Sequence, residues 1–158
     1  MTPSFLTSRS PWPRLAIVAA WAVAFALVEA MVVYYLRKLF GLEFAAVFTE
    51  RRFHFPKDYL VHEQGREAAA MAMLAAVGLL AGRTLWQAFA YWLFAFGVWD
   101  ICYYVWLWIL LGWPSSLRTR DLLFLIPDEW WAPVWLPVSI SAGLMAAAVL
   151  ILRFTRRA

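Results

Sequence analysis

Four long apolar segments constrain the fold of this chain more than any other feature of its sequence. They cover residues 15–36, 63–82, 85–112 and 134–152. Each is about as long as the roughly 20 helical residues needed to cross a hydrocarbon core. Lipid offers the backbone no hydrogen-bond partners, so a segment of this kind crosses it as an α-helix. The pattern predicts an all-α fold, an integral membrane four-helix bundle with residues 1–158 in a single transmembrane domain.

Composition supports a membrane protein. Hydrophobic residues make up 65% of the chain and charged residues 15%, whereas a soluble domain is about half apolar and about a quarter charged. The 11 Trp residues suit the membrane–water interface. Cys102 stands alone, which excludes an intrachain disulfide and a CxxC redox pair. We expect the lipid bilayer as partner, with a homo-oligomer or larger membrane complex as a further possibility, and no nucleic acid because no basic stripe appears.

Two longer connections separate the spans, and we predict interfacial helical segments in both. Residues 37–62 are rich in Phe and mixed charges, which predicts a continuation of the first helix or an amphipathic helix at the membrane surface. In the second connection, Ser116 to Asp121 resembles a helix start followed by a short interfacial helix. Only Arg83 and Thr84 separate the second and third spans, which predicts a tight antiparallel helical hairpin.

The second span is rich in small residues. Alanines and a Gly78-xxx-Gly82 step leave one side of this helix smooth. Small residues let helix backbones approach closely in lipid. The pattern favours packing within the bundle, with a dimer face as the alternative.

The arginines predict the orientation of the chain. Cations close to helix ends gather on the N-terminal side of the predicted bundle, where no acid accompanies them. The positive-inside rule then favours an integral protein of the plasma (inner) membrane with both termini cytoplasmic. These cations are Arg9, Arg14, Arg83, Arg153, Arg156 and Arg157.

Acids within the predicted spans are the candidates for function, because ionisable groups in a membrane are costly and usually pair, face the interior or serve a function. Glu29, Glu67 and Asp100 lie on three different spans. The helical rise of about 1.5 Å per residue places all three between the midplane and the same face. The sequence predicts a carboxylate-lined pocket that opens towards the two long connections. Its candidate residues are Glu29, His62, Glu63, Arg66, Glu67 and Asp100, supported by Tyr103 and Tyr104.

Three interpretations of this pocket stay open. In the first, Glu29, Glu67, Asp100 and His62 hold a divalent transition metal, although the Glu-x-x-His motif of di-iron bundles is missing. In the second, the acids bind protons or a cation, because intramembrane acids often serve as relays. In the third, they form an internal polar clasp in an accessory or structural subunit of a larger membrane complex. No motif identifies an enzymatic reaction.

Four helices with one acid embedded in the first resemble the small multidrug-resistance transporters. The resemblance implies that Glu29 binds protons or a cationic substrate and that the chain is a small proton-coupled transporter. It covers this one residue of the sequence. Two long connections, the additional Asp100 and the charged start of the second span depart from the pattern of that family.

Overall fold

The computed structural model describes residues 11–39 and 57–155, which are mostly helical. Four helices are present among them: α1 (Trp12–Leu39), α2 (Lys57–Ala81), α3 (Leu85–Leu111) and α4 (Trp135–Thr155). Two short strands, β1 (Arg120–Phe124) and β2 (Trp130–Pro133), lie between α3 and α4. Three of the helices, α1, α3 and α4, are long and apolar enough to cross a membrane. The remaining helix, α2, contains most of the predicted second span, and its first half carries the charges.

Local sequence explains where the central helix begins and ends. The side chain of Thr84 accepts a hydrogen bond from the backbone N–H of Gln87 and so caps the start of α3. After Leu111, Gly112 adopts the left-handed conformation with φ of 65° and donates its N–H to the carbonyl of Trp108. Glycine takes this conformation at the end of a helix without the steric cost that a Cβ would impose.

Helix α3 lies at the centre of the fold and packs against each of the other three helices. By contrast, α1 and α2 contact one another only slightly. Close approach of α2 to α3 depends on small residues, because a Cβ at Gly78 would lie 2.7 Å from the carbonyl oxygen of Ala88. The Gly78-xxx-Gly82 step therefore packs inside the chain, as the sequence favoured.

The predicted interfacial helix from Ser116 to Asp121 is wrong. Strand β1 pairs with β2 in an antiparallel two-stranded sheet, which adds a small hairpin to a fold that is mostly helical. A six-residue helix lacks enough hydrogen bonds to offset its nucleation cost. The aromatic side chains of Trp130 and Trp131 suit a strand, and Pro127 suits the turn between the two strands. In the first connection, residues 40–56 and their predicted interfacial segment lie outside the described residues, whereas Lys57 already begins α2.

Candidate functional site

A cavity of about 200 Å³ lies where the four helices and the β-hairpin meet. The second half of α1, the first half of α2 and the middle of α3 form its walls. Strand β1 and the start of α4 complete the enclosure. Among the described residues that line it, five carry a carboxyl group and two carry a guanidinium. The acids are Glu29, Glu63, Glu67, Asp100 and Asp121, and the cations are Arg37 and Arg66.

One side of the cavity is an ion-paired cluster that joins α1 to α2. Arg66 forms an ion pair with Glu29 of α1 through Nη1. Its Nε also donates to the carboxylate of Glu63 at 2.8 Å, one turn earlier on α2. The side chains of Glu29 and Glu63 are 8% and 13% exposed, and that of Arg66 is 30% exposed. A single guanidinium therefore serves two largely buried carboxylates.

The β-hairpin is hydrogen-bonded to α2 through the backbone of Leu125. The N–H of Leu125 donates to the carboxylate of Glu67 at 2.8 Å. The carbonyl of Leu125 accepts from the side-chain amide of Gln64 at 3.0 Å. Because Gln64 and Glu67 are three residues apart, they project from the same side of α2. This pair of contacts holds the hairpin against the cavity, so Glu67 serves as a hairpin anchor.

Asp100 lies on the other side of the cavity, in the middle of α3. Its carboxylate accepts a hydrogen bond from the hydroxyl of Ser141 on α4 at 2.8 Å. Gly97 makes this contact possible, because a Cβ there would lie 2.7 Å from the backbone oxygen of Ser141 and 2.6 Å from Cγ of Met145. Within the part of the chain that the structure describes, no Lys or Arg pairs with Asp100.

Aromatic residues of α3 line the cavity together with Asp100. Phe96 and Tyr103 lie one turn before and one turn after it on α3, and both line the cavity. Trp99 also lines the cavity and is in ring contact with each of them, with centroid distances of 5.6 Å to Phe96 and 6.3 Å to Tyr103. Its buried indole Nε1 has no hydrogen-bond partner among the described residues. This side of the cavity combines one carboxyl group, two hydroxyl groups and three aromatic rings.

A second buried acid, Asp121, was not among the candidates that the sequence singled out. Strand β1 turns it inwards, where it is 5% exposed and accepts a hydrogen bond from the hydroxyl of Tyr104 at 3.0 Å. Burial raises the pKa of Asp121 to about 7, against the lowering effects of this hydrogen bond and of the positive charge of Arg37. The guanidinium of Arg37, itself 5% exposed, lies 4.3 Å from the ring centroid of Trp113.

Most of the sequence candidates line one cavity. Glu29, Glu63, Arg66, Glu67, Asp100, Tyr103 and Tyr104 all do so. His62 is exposed and is not part of the lining. Sequence reasoning missed Arg37, Asp121 and Ser141. The sequence features that could have identified them are the position of Arg37 at the end of the first span, the position of Asp121 directly before an apolar run, and the hydroxyl of Ser141 within an uncharged span.

The geometry gives the metal interpretation no support. Within residues 11–39 and 57–155, no three His, Cys, Asp or Glu side chains lie close enough together to hold a metal ion. Glu29, Glu67 and Asp100 are instead bound to an arginine, a backbone amide and a hydroxyl. Each carboxylate is therefore directed towards a protein donor on a different element, and His62 does not line the cavity.

No family model, curated protein or solved structure matches this chain. The resemblance to the small multidrug-resistance transporters therefore continues to rest on Glu29 alone. In this chain the carboxylate of Glu29 is ion-paired with Arg66. Asp100 forms no ion pair with an arginine or lysine among the described residues.

Proposed function

We propose that this chain is an integral membrane protein whose four helices all cross the bilayer and whose cavity binds a small organic cation in exchange for a proton at Asp100. The observation that carries the proposal is the environment of Asp100. Asp100 lines the cavity together with aromatic residues of α3, and its carboxyl accepts a hydrogen bond from the uncharged Ser141. A carboxyl group in hydrocarbon is either protonated or meets a cation, because an isolated charge is too costly there.

The charges on α2 are compatible with a fourth membrane crossing. Glu63, Arg66 and Glu67 all line the cavity, where they pair with one another, with α1 or with the hairpin. The second half of the helix exposes apolar side chains, with Leu79 63% and Leu80 87% exposed. A helix that directs these three charged side chains inwards and apolar side chains such as those of Leu79 and Leu80 outwards suits lipid. With α1, α3 and α4 it would give four crossings, which put both termini on the same side, and the arginines close to the helix ends favour the cytoplasmic side.

The chemistry of the cavity favours a cation over an anion or a neutral ligand. Five carboxyl groups face two guanidinium groups among the described lining residues, so an anion would meet net repulsion. The faces of aromatic rings attract cations, with about 2 kcal/mol or more when the site is desolvated. The rings of Phe96, Trp99 and Tyr103 beside the Asp100 carboxyl therefore suit a quaternary ammonium group.

The cavity volume limits the size of the ligand. A water molecule takes up about 30 Å³ of the liquid, and the cavity measures about 200 Å³. This volume corresponds to a small ligand of the size of choline. We therefore infer a small cation with an apolar body rather than a large amphipathic drug.

Addition of choline to the purified protein tests the proposal. In weakly buffered detergent solution, choline should displace the proton of Asp100, and a pH electrode or dye should record its release. The same concentration of 3,3-dimethylbutanol, which has the shape of choline without the charge, should release none. Asp100→Asn should abolish the release, whereas Asp128→Asn, at an exposed position outside the cavity, should leave it unchanged.

A structural role for the acids is the second candidate, and the hydrogen bonds favour it. Glu29, Glu67, Asp100 and Asp121 each bind a donor on another element, as expected of a polar clasp that fixes how the elements pack. The chain would then serve as an accessory or structural subunit of a larger membrane complex. Absence of proton release with choline, together with an Asp100→Asn variant as stable as the wild type, would favour this function over cation binding.

A further inference from the structure

A groove separate from the cavity lies between α1 and α2, at the opposite end of these two helices. Its volume is about 380 Å³. The first turns of α1 form one wall, with Ile17, Val18 and Trp21, and the last turns of α2 form the other. The groove exists because α2 packs against α3 through Gly78 and Gly82, so that α1 and α2 contact one another only slightly.

The rim of the groove carries two positive charges. Arg14 lies at the start of α1 and Arg83 in the turn after α2, and no acid is among the described residues of the lining. Arg14 bridges the two helices, since its Nη1 donates to the carbonyl of Ala81 at 3.1 Å. Below the rim the walls are apolar, and the side chains of Ile17 and Leu80 are 50% and 87% exposed.

We propose that this groove binds one phospholipid with an anionic headgroup, with its phosphate at Arg14 and Arg83 and one acyl chain along the apolar walls. Guanidinium groups match phosphate oxygens in charge and in hydrogen-bond geometry. A zwitterionic headgroup would bring its ammonium group close to the same two arginines, so charge complementarity favours a lipid such as phosphatidylglycerol. The proposal rests on the membrane location in the proposed function, but it does not depend on the cavity or on Asp100.

Trp21 supplies a local probe of lipid in the groove because it lines the apolar wall. Bromine atoms on an acyl chain quench tryptophan fluorescence at short range. The full-length protein would be reconstituted with brominated phosphatidylglycerol or brominated phosphatidylcholine over a range of mole fractions. The difference between the wild type and Trp21→Phe then reports quenching at this position alone.

We expect phosphatidylglycerol to quench Trp21 at a lower mole fraction than phosphatidylcholine. Each arginine close to an anionic lipid headgroup raises the affinity for that lipid about fivefold. Arg83→Gln should therefore raise the mole fraction required about fivefold, and Arg14→Gln with Arg83→Gln should raise it about 25-fold. Arg83→Gln on its own keeps the Arg14–Ala81 contact, so the test does not depend on the double variant being folded. Arg118→Gln is the matched control, because Arg118 is also an exposed arginine in a turn but lies outside the groove.

Three results would overturn the proposal. Equal quenching by the two lipids would remove the requirement for an anionic headgroup. An Arg118→Gln variant with the same loss as Arg83→Gln would reduce the effect to the net charge of the protein. If glycerol 3-phosphate without acyl chains displaced phosphatidylglycerol at comparable concentrations, the site would bind phosphate rather than lipid. Choline-induced proton release is measured separately, so failure at this groove leaves the cavity proposal intact.

Discussion

The ion pair between Arg66 and Glu29 can be measured by a double-mutant cycle. Arg66→Met removes the guanidinium from Glu29 and from Glu63, whose side chains are 8% and 13% exposed. Removal of one partner from a fully buried pair costs about 3–5 kcal/mol. Arg66 itself is 30% exposed, so water screens part of the interaction. We expect a loss of about 2–4 kcal/mol in the free energy of unfolding.

The other two corners of the cycle follow from the same contacts. Glu29→Gln leaves an amide oxygen that still accepts from Arg66, and Arg66 keeps Glu63, so we expect a loss of about 1–2 kcal/mol. The double variant loses the shared interaction only once. Its loss in the free energy of unfolding should therefore be smaller than the sum of the two single losses by about 1–2 kcal/mol. Unfolding of the detergent-solubilised protein, followed by circular dichroism, gives all four values.

A control and a contradicting result complete the cycle. Arg118→Met removes an exposed arginine and should change the free energy of unfolding by less than about 0.5 kcal/mol. If the loss in the double variant equalled the sum of the losses from Arg66→Met and Glu29→Gln within about 0.5 kcal/mol, the two residues would be uncoupled. The ion-paired side of the cavity would then not hold α1 to α2.

Three further changes test other parts of the structure. Gly97→Ala should lower the free energy of unfolding by about 1–3 kcal/mol, because its Cβ would overlap α4. Gly143→Ala is the control: the space around Gly143 is open, so the free energy of unfolding should stay the same or rise by up to about 1 kcal/mol. Equal changes in the two variants would contradict the close approach of α3 and α4. The raised pKa of Asp121, about 7, means that the folded state keeps a proton which the unfolded state loses near pH 4. The stability of the wild type relative to Asp121→Asn should therefore fall as the pH rises from about 4 to about 7 and stay constant above it; a pH-independent difference in unfolding titrations would refute this. Glu67→Ala should accelerate hydrogen exchange at the Leu125 amide roughly tenfold, for a lost charged hydrogen bond of about 1.5 kcal/mol, and unchanged exchange would show that Glu67 does not anchor the hairpin.

The sequence by itself determined the long apolar helices and the residues from which a site could be built. Uninterrupted hydropathy identifies such helices without reference to the rest of the chain, because the requirement for about 20 apolar residues is local. Helical rise also predicted that Glu29, Glu67 and Asp100 share one half of the predicted bundle, since depth within a span depends only on position along it.

Only the tertiary structure decided which donor each acid meets. Asp100 reaches Ser141 because Gly97 lets α3 and α4 approach closely, and nothing in the spacing of the sequence relates residues 41 positions apart. The β-hairpin likewise depends on pairing between β1 and β2, whereas the local pattern after Ser116 resembled a helix start. That pairing turns Asp121 inwards and brings Leu125 to Glu67. The length of a span follows from the solvent around that helix, which a local stretch of sequence reflects. The hydrogen-bond partners across the cavity follow from how separate elements pack, and no local stretch of sequence encodes that packing.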